Sequence, residues 1–197
     1  MSETSASLLE RLSDKPESAD WDRLVAVYTP LIRGWIGHQA ALQGHDADDV
    51  VQEVLAVLVR KLGDFRREPR PGAFRRWLKS ITINCLRDFW KTRRNRSLAL
   101  GGDDLAAVLE QLEDPHSGLS RLWDDDYEQF VTRKLLELIR PTFSASTWAA
   151  FQGFAIEGRS ANDVASELGM TVNAVFIAKS RVLTRLRQEG KGLLDDE

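Results

Sequence analysis

The sequence predicts an all-α protein of two small helical domains joined by an acidic linker. Apolar residues recur at three- and four-residue spacing along most of the chain, and no alternating strand of useful length occurs. Residues 97–120 interrupt that spacing with two adjacent glycines, a proline and loosely ordered polar side chains, which is linker composition. The formal net charge of −3 also hides a strong segregation. Residues 1–59 carry 4 positive and 10 negative charges, residues 60–96 carry 13 and 3, and residues 97–130 carry 1 and 9. Blocks of +10 and −8 side by side imply different tasks for different segments, with the basic block a candidate polyanion surface.

The first strong helical pattern runs from Trp21 to about Leu42, through Leu24, Val25, Tyr28, Leu31, Ile32, Trp35 and Ile36; Pro30 predicts a kink or split in it. Asp46 is placed to cap a helix reaching about Leu62, with Val50, Val54, Val57 and Leu58 inward. Asp49, Gln52, Glu53, Ala56 and Arg60 fall three or four apart on its opposite, polar face. Prolines and glycines make 63–72 a loop, and a long helix follows from Ala73 to about Asn95 with Trp77, Ile81, Leu86 and Phe89 as core candidates. One short helix is expected around 103–113 within the linker. Helical spacing returns at Leu122–Ile139, stops at Pro141, and resumes over 144–156, 161–168 and 172–189.

Hydrophobic content of 43% and charged content of 29% describe an ordinary globular chain. No run approaches the roughly 18 apolar residues of a membrane span. The start, "MSETSASLLERLSDKPE", has neither a basic opening nor an apolar signal core, so a cytoplasmic home is expected. The single cysteine, Cys85, excludes a disulfide framework and a Cys-based zinc cluster. His38, His45, Asp46, Asp48 and Asp49 invite a metal-hydrolase reading, yet the third histidine, His116, lies in the linker, and no phosphate loop or nucleophile elbow occurs. Neither an enzyme nor a cofactor is expected.

The chemistry-bearing pattern is nucleic-acid binding. In "SANDVASELGMTVNAVFIAKSRVLTRLRQ" (160–188), Ser160 and Asp163 form a helix start, Gly169 ends that helix, and Thr171 caps the next. Val164, Ala165, Leu168, Val175 and Ala178 are placed to pack the two helices, as in a helix-turn-helix. Thr171, Asn173, Phe176, Lys179, Ser180 and Arg181 then lie where bases and phosphates can be reached. The long basic helix gathers Arg75, Arg76, Lys79, Arg87, Lys91, Arg93, Arg94 and Arg96. With Trp77 and Phe89 assigned to the core, its cations beside Phe65 and Trp90 suit unstacked single-stranded bases. Taken alone each pattern also fits a plain helical bundle with a solvated charged face, and Trp90 can be either a core wedge or a contact residue.

Together, "DADDVVQEVL", "GAFRRWLKSITINCLRDFWKTRRNR" and "GRSANDVASELGMTVNAVFIAKSRVLTRLR" resemble, in this order, segments of bacterial sigma-70 family factors of the extracytoplasmic-function group. The resemblance implies a promoter-specificity subunit that binds core RNA polymerase and promoter DNA and catalyses nothing itself. It implies residues 1–96 as a region 2-like domain, 97–121 as linker, and 122–197 as a region 4-like domain. Asp49, Gln52 and Glu53 would meet the β′ clamp helices, and the C-terminal domain the β flap. Phe65 and Asn84 would hold a flipped base, Lys79, Arg87 and Lys91 would track phosphates, and the acidic linker would mimic nucleic acid in the polymerase channels. An anti-sigma partner is common in that family, and nothing in this chain encodes one. One departure stands out: where relatives often carry Val-Lys-Ser-Arg, this chain reads "VFIAKSR" (175–181), with Phe176, Ile177 and Ala178 ahead of the cations. The loop "REPRPG" (67–72) is also long for a compact base pocket. The alternative is a stand-alone helix-turn-helix regulator with an N-terminal sensing or dimerising domain.

Overall fold

The computed structural model describes residues 7–14, 17–39, 42, 44–65, 72–96 and 102–194. Among these, the chain forms α1 (Leu8–Asp14), α2 (Ser18–Gln39), α3 (Gly44–Lys61), α4 (Ala73–Arg96), α5 (Gly102–Glu113), α6 (Gly118–Ile139), α7 (Ala145–Phe151), α8 (Ala161–Leu168) and α9 (Val172–Gly190). Most of the "REPRPG" loop and the Gly101 end of the linker lie outside the described residues.

The all-α expectation holds, and the differences lie at boundaries. Pro30 sits inside a continuous α2. Its ring is on the exposed side, while Val27, Tyr28, Leu31 and Ile32 around it are buried, so one core grips both halves. Ala26, four residues before, is also exposed, so the carbonyl left without an amide partner can turn to water. α3 starts at Gly44, which places Asp46 in its first turn near the positive dipole end rather than at the cap. α6 begins four residues before Leu122, with the Ser117 hydroxyl accepting from the Ser120 amide at 2.9 Å. The 144–156 helix is divided: α7 passes at Gln152 into a π-turn, Gln152–Ile156, closed by the Glu157 amide on the Gln152 carbonyl at 3.0 Å.

α2, α3 and α4 pack into a bundle whose buried residues include Leu24, Ile32, Val54, Leu58, Phe74, Leu78 and Leu86. α6 belongs to both halves of the chain. Near its start, Trp123 meets Trp35 of α2 edge-on with ring centroids 4.5 Å apart, and the Tyr127 and Tyr28 hydroxyls share a buried hydrogen bond of 3.1 Å. Near its end, Leu135 and Ile139 join Phe151, Val182 and Leu186 in the same apolar cluster. The expected boundary at residue 122 therefore falls inside α6, whose two ends join one continuous apolar cluster. Buried aromatics drive this: Trp123 and Tyr127 each remove a large apolar area from water, and the bundle offers rings to receive them.

α1, at 7 residues, is too short to show a helical period in the sequence. It buries Leu8, Leu9 and Leu12 and sends Arg11 to the far end of the chain. Arg11 Nε donates to Asp20 Oδ1 at 2.9 Å, and Arg11 Nη2 donates to Glu189 Oε2 of α9 at 3.2 Å. Lys191 Nζ adds an ion pair to Glu10 at 3.0 Å. Burial pushes the Asp20 carboxyl upward, but Arg11, the Glu17 backbone and Arg23 outweigh it and hold its pKa below the usual value. A depressed folded-state pKa supplies stability that is present above about pH 4 and lost as pH falls through the lowered value. Asp20→Asn is accordingly expected to cost about 1–3 kcal/mol at pH 7. The gap between variant and parent should shrink on acidification; thermal unfolding at pH 7 and pH 3 measures it.

Candidate nucleic-acid interface

α4 is held by its buried side: Phe74, Leu78, Ile81, Thr82 and Leu86 face the bundle. Trp77, Ser80, Asn84, Arg87 and Lys91 follow at alternating three- and four-residue steps, so they form one stripe along the helix. Ser80, Asn84 and Lys91 are exposed and Trp77 and Arg87 half-buried. At the near end Phe65 is half-buried, its ring 4.7 Å from Trp77 and 5.5 Å, perpendicular, from Phe74. Asn84 lies two turns further along, about 10 Å from Trp77 in rise. The Asn84 carboxamide oxygen accepts from Arg87 Nη1 at 3.2 Å, and Lys91 stands 3.9 Å from Asp88. Three expected DNA contacts, Asn84, Arg87 and Lys91, thus share a face, with Phe65 near its start.

Lys79 does not join them. It is 8% exposed and turned toward α6, where its ammonium donates to the Ser120 carbonyl at 3.3 Å and to the Ser120 hydroxyl. Burial first, and Arg75 second, push its pKa down against the pull of Asp124. Lys79, expected from the resemblance to track phosphates, is thus covered by α6 and stands apart from Arg87 and Lys91. Arg75 is similarly engaged, 3.2 Å from Asp124 and 2.7 Å from Glu128 on α6. The side chains of Arg93, Arg94 and Arg96 lie outside the described residues. Phe89 and Trp90 pack partly buried against the core with their rings 5.9 Å apart, so Trp90 serves as a core wedge here. Cys85 is buried, its thiol pushed up to about 11 chiefly by burial, which makes it an inert packing residue.

On α3, Val50, Val51, Val54 and Leu58 are buried, while Asp49, Gln52, Glu53, Ala56 and Arg60 are all exposed. The polar face expected there is thus free of the chain's own packing. Val59 extends it with an exposed apolar side chain that periodicity alone did not single out. His45 is exposed as well, and among the described residues no three His, Cys, Asp or Glu side chains converge as a metal site.

The C-terminal helix pair follows its sequence signals closely. The Ser160 hydroxyl accepts from the Asp163 amide at 3.1 Å, and the Thr171 hydroxyl accepts from the Ala174 amide at 3.1 Å. Gly169 takes the left-handed conformation, φ 63° and ψ 35°, that ends α8. Ala150, Val164, Ala165, Val175 and Ala178 make the small core between α7, α8 and α9. A Cβ on Gly153 would stand 3.1 Å from a Val164 methyl, so glycine lets α8 approach the π-turn closely. Asn173, Phe176, Ile177, Ser180 and Arg181 form an exposed stripe, with Thr171 exposed at the helix start. Phe176 and Ile177 are 49% and 44% exposed, unusual for large apolar groups on a helix that is otherwise well packed. Phe176 leans edge-on against Phe154 at 5.3 Å, and Lys179 Nζ lies 5.1 Å above the Phe154 ring. Phe154 thus props two of the predicted contact residues, a role that no sequence signal announced because it sits in the π-turn.

Residues 24–96, which span α2 to α4, match the sigma-70 region 2 family. Over 133 residues the chain is 29% identical to the RNA polymerase sigma factor CnrH of Cupriavidus metallidurans. That alignment covers 66% of this chain, which spans about two thirds (65%) of the relative's length.

Proposed function

We propose that this chain is a sigma-70 family promoter-specificity subunit of RNA polymerase, a reading supported by the match of residues 24–96 to sigma-70 region 2 and by the similarity to an RNA polymerase sigma factor. The observation that supports this most directly is the pairing of two surfaces within residues 24–96. α3 presents a free acidic face, and α4 presents a stripe of aromatic, amide and cationic groups. In this reading Asp49, Gln52 and Glu53 dock on the β′ clamp helices of core polymerase. Arg87 and Lys91 neutralise phosphates along the displaced strand. Phe65, backed by Trp77, and Asn84 receive an extruded base; stacking and edge hydrogen bonds offset the cost of unpairing it.

Residues downstream of Gly118 supply the second promoter contact. The start of α9 enters the major groove of the minus-thirty-five element, with Thr171, Asn173 and Ser180 available for polar contacts and Lys179 and Arg181 for phosphates. Phe176 and Ile177 offer apolar contact to thymine methyl groups where relatives place cations. Such a subunit is of the two-region, extracytoplasmic-function type and works where DNA and polymerase are, in the cytoplasm; the chemistry of RNA synthesis belongs to polymerase. No helix of the described residues is long and apolar enough to cross a membrane.

The direct test mixes the protein with sigma-free core polymerase and sequences the transcripts. A stable complex and new, shared start sites are expected. A chain that binds duplex DNA but not core polymerase would instead be the stand-alone helix-turn-helix regulator. Within the sigma reading, Asn84→Ala should lower permanganate reactivity of the melted segment about tenfold while sparing closed-complex binding. Arg181→Ala should do the reverse, weakening the closed complex first. Equal losses in both assays for both variants would remove the base-pocket assignment.

A further inference from the structure

We infer that α5 is an internal lid: in the free chain it lies over the side of α4 where single-stranded DNA binds, and strand entry requires it to leave. The inference rests on the assignment of the α4 stripe to DNA. α5 packs directly on α4 and α6, burying Leu109 and Leu112. Its last residue, Glu113, accepts from Arg87 Nη2 at 2.6 Å, while the same guanidinium reaches Asn84 at 3.2 Å. Arg87 therefore ties the lid to Asn84, and both are polar groups that a displaced strand needs. The trough beside this contact has Leu112, Glu113 and Pro115 on one wall and Arg76, Ile83 and Asn84 on the other. A nucleotide backbone passing Asn84 would meet the Glu113 carboxylate and the Leu112 side of α5 in the place it must occupy.

Two properties let α5 move while the rest stays. α6 is anchored independently, through Trp123 and Tyr127 in the core and through Asp124 and Glu128 on Arg75. Between the two helices lies the short turn Asp114–Ser117, held by the Ser117 amide on the Asp114 carbonyl at 3.1 Å. α5 itself is 12 residues long, and helices of about that length are marginal in water without tertiary packing. Lifting it off α4 should therefore unwind it. The segments are of opposite charge as well: residues 60–96 carry +10, and α5 carries Asp103, Asp104, Glu110 and Glu113 with no lysine or arginine. DNA and lid compete for the same cation.

The test uses the full free chain and a fluorescent 20-nucleotide single strand of mixed sequence, with Glu113→Gln as the variant. Glu113 is exposed, so the fold is unaffected, which circular dichroism checks. The variant should bind the strand about two- to fivefold more tightly than the parent. Its log Kd against log salt should steepen by about 0.7, because Arg87 then releases a counterion instead of a carboxylate. In the parent, amides of residues 102–113 should exchange faster with deuterium when the strand is added, while α4 amides slow. Equal affinity and salt slope, no binding by either form, or unchanged exchange in α5 alongside slowed exchange in α4 would overturn the lid. Normal core binding and start-site selection in parallel would then leave the sigma reading standing; absence of any core complex overturns both.

Discussion

Trp123→Ala is expected to destabilise the protein by about 3–5 kcal/mol, the cost of emptying a large buried aromatic site. For a chain of this size that corresponds to roughly 6–20 °C in Tm. Trp123 is 2% exposed and lies where α6 crosses α2, its ring perpendicular to Trp35 at 4.5 Å. The effect should not be a generic core loss. Removing the ring unseats the first half of α6, and with it the platform that Asp124, Glu128 and Ser120 use to hold Arg75 and Lys79. Trp123→Phe is the informative control, because it keeps a ring against Trp35 and deletes an indole N–H that has no hydrogen-bond partner among the described residues. A cost of only about 1–2 kcal/mol is expected for it. In a double-mutant cycle with Trp35→Ala, the two alanine losses should fall short of additivity by about 0.5–1.5 kcal/mol. Calorimetry and urea titration decide the matter. A loss below about 1 kcal/mol for Trp123→Ala would mean that α6 does not rest on α2 in solution.

That contact also shows what the sequence could and could not convey. Helix positions were legible because the 3.6-residue period and the caps are local. α3, α4, α8 and α9 begin and end within about two residues of expectation, and Ser160, Gly169 and Thr171 do what their types predict. The exposed faces of α3 and α9 were legible for the same reason, since an apolar stripe on one side leaves the other free. Trp123 against Trp35 was not legible: the residues are 88 positions apart, and each reads locally as just another apolar side chain. The burial of Lys79 was not legible either, because a basic run cannot reveal that α6 will cover one of its members. α1 is only 7 residues long, too short for a period, and its Arg11 acts on Glu189, 178 positions away. Phe154 was hidden because a π-turn shifts the face on which its ring emerges.

The acidic face of α3 carries the second large effect. If α3 docks on core polymerase as proposed, replacing Asp49 and Glu53 together by arginine is expected to weaken that complex by about 100-fold, since like charges facing each other across an interface cost several kcal/mol. Both side chains are exposed and have buried valines behind them, so folding stability should move by no more than about 0.5 kcal/mol. The comparison that gives the number meaning is Asp125→Arg with Asp126→Arg on α6, two exposed acids whose reversal changes net charge by the same amount. If docking depended on overall charge, both pairs would lose affinity alike, and added salt would mask both. If it depends on the α3 face, only the first pair loses the complex. Exposed Val59 on α3 makes the same distinction without charge: Val59→Ser should weaken core binding modestly and leave the duplex DNA binding proposed for α9 untouched. Gel filtration with core polymerase and fluorescence anisotropy on duplex DNA separate these outcomes, because α3 and the recognition stripe of α9 are built from different residues and different cores.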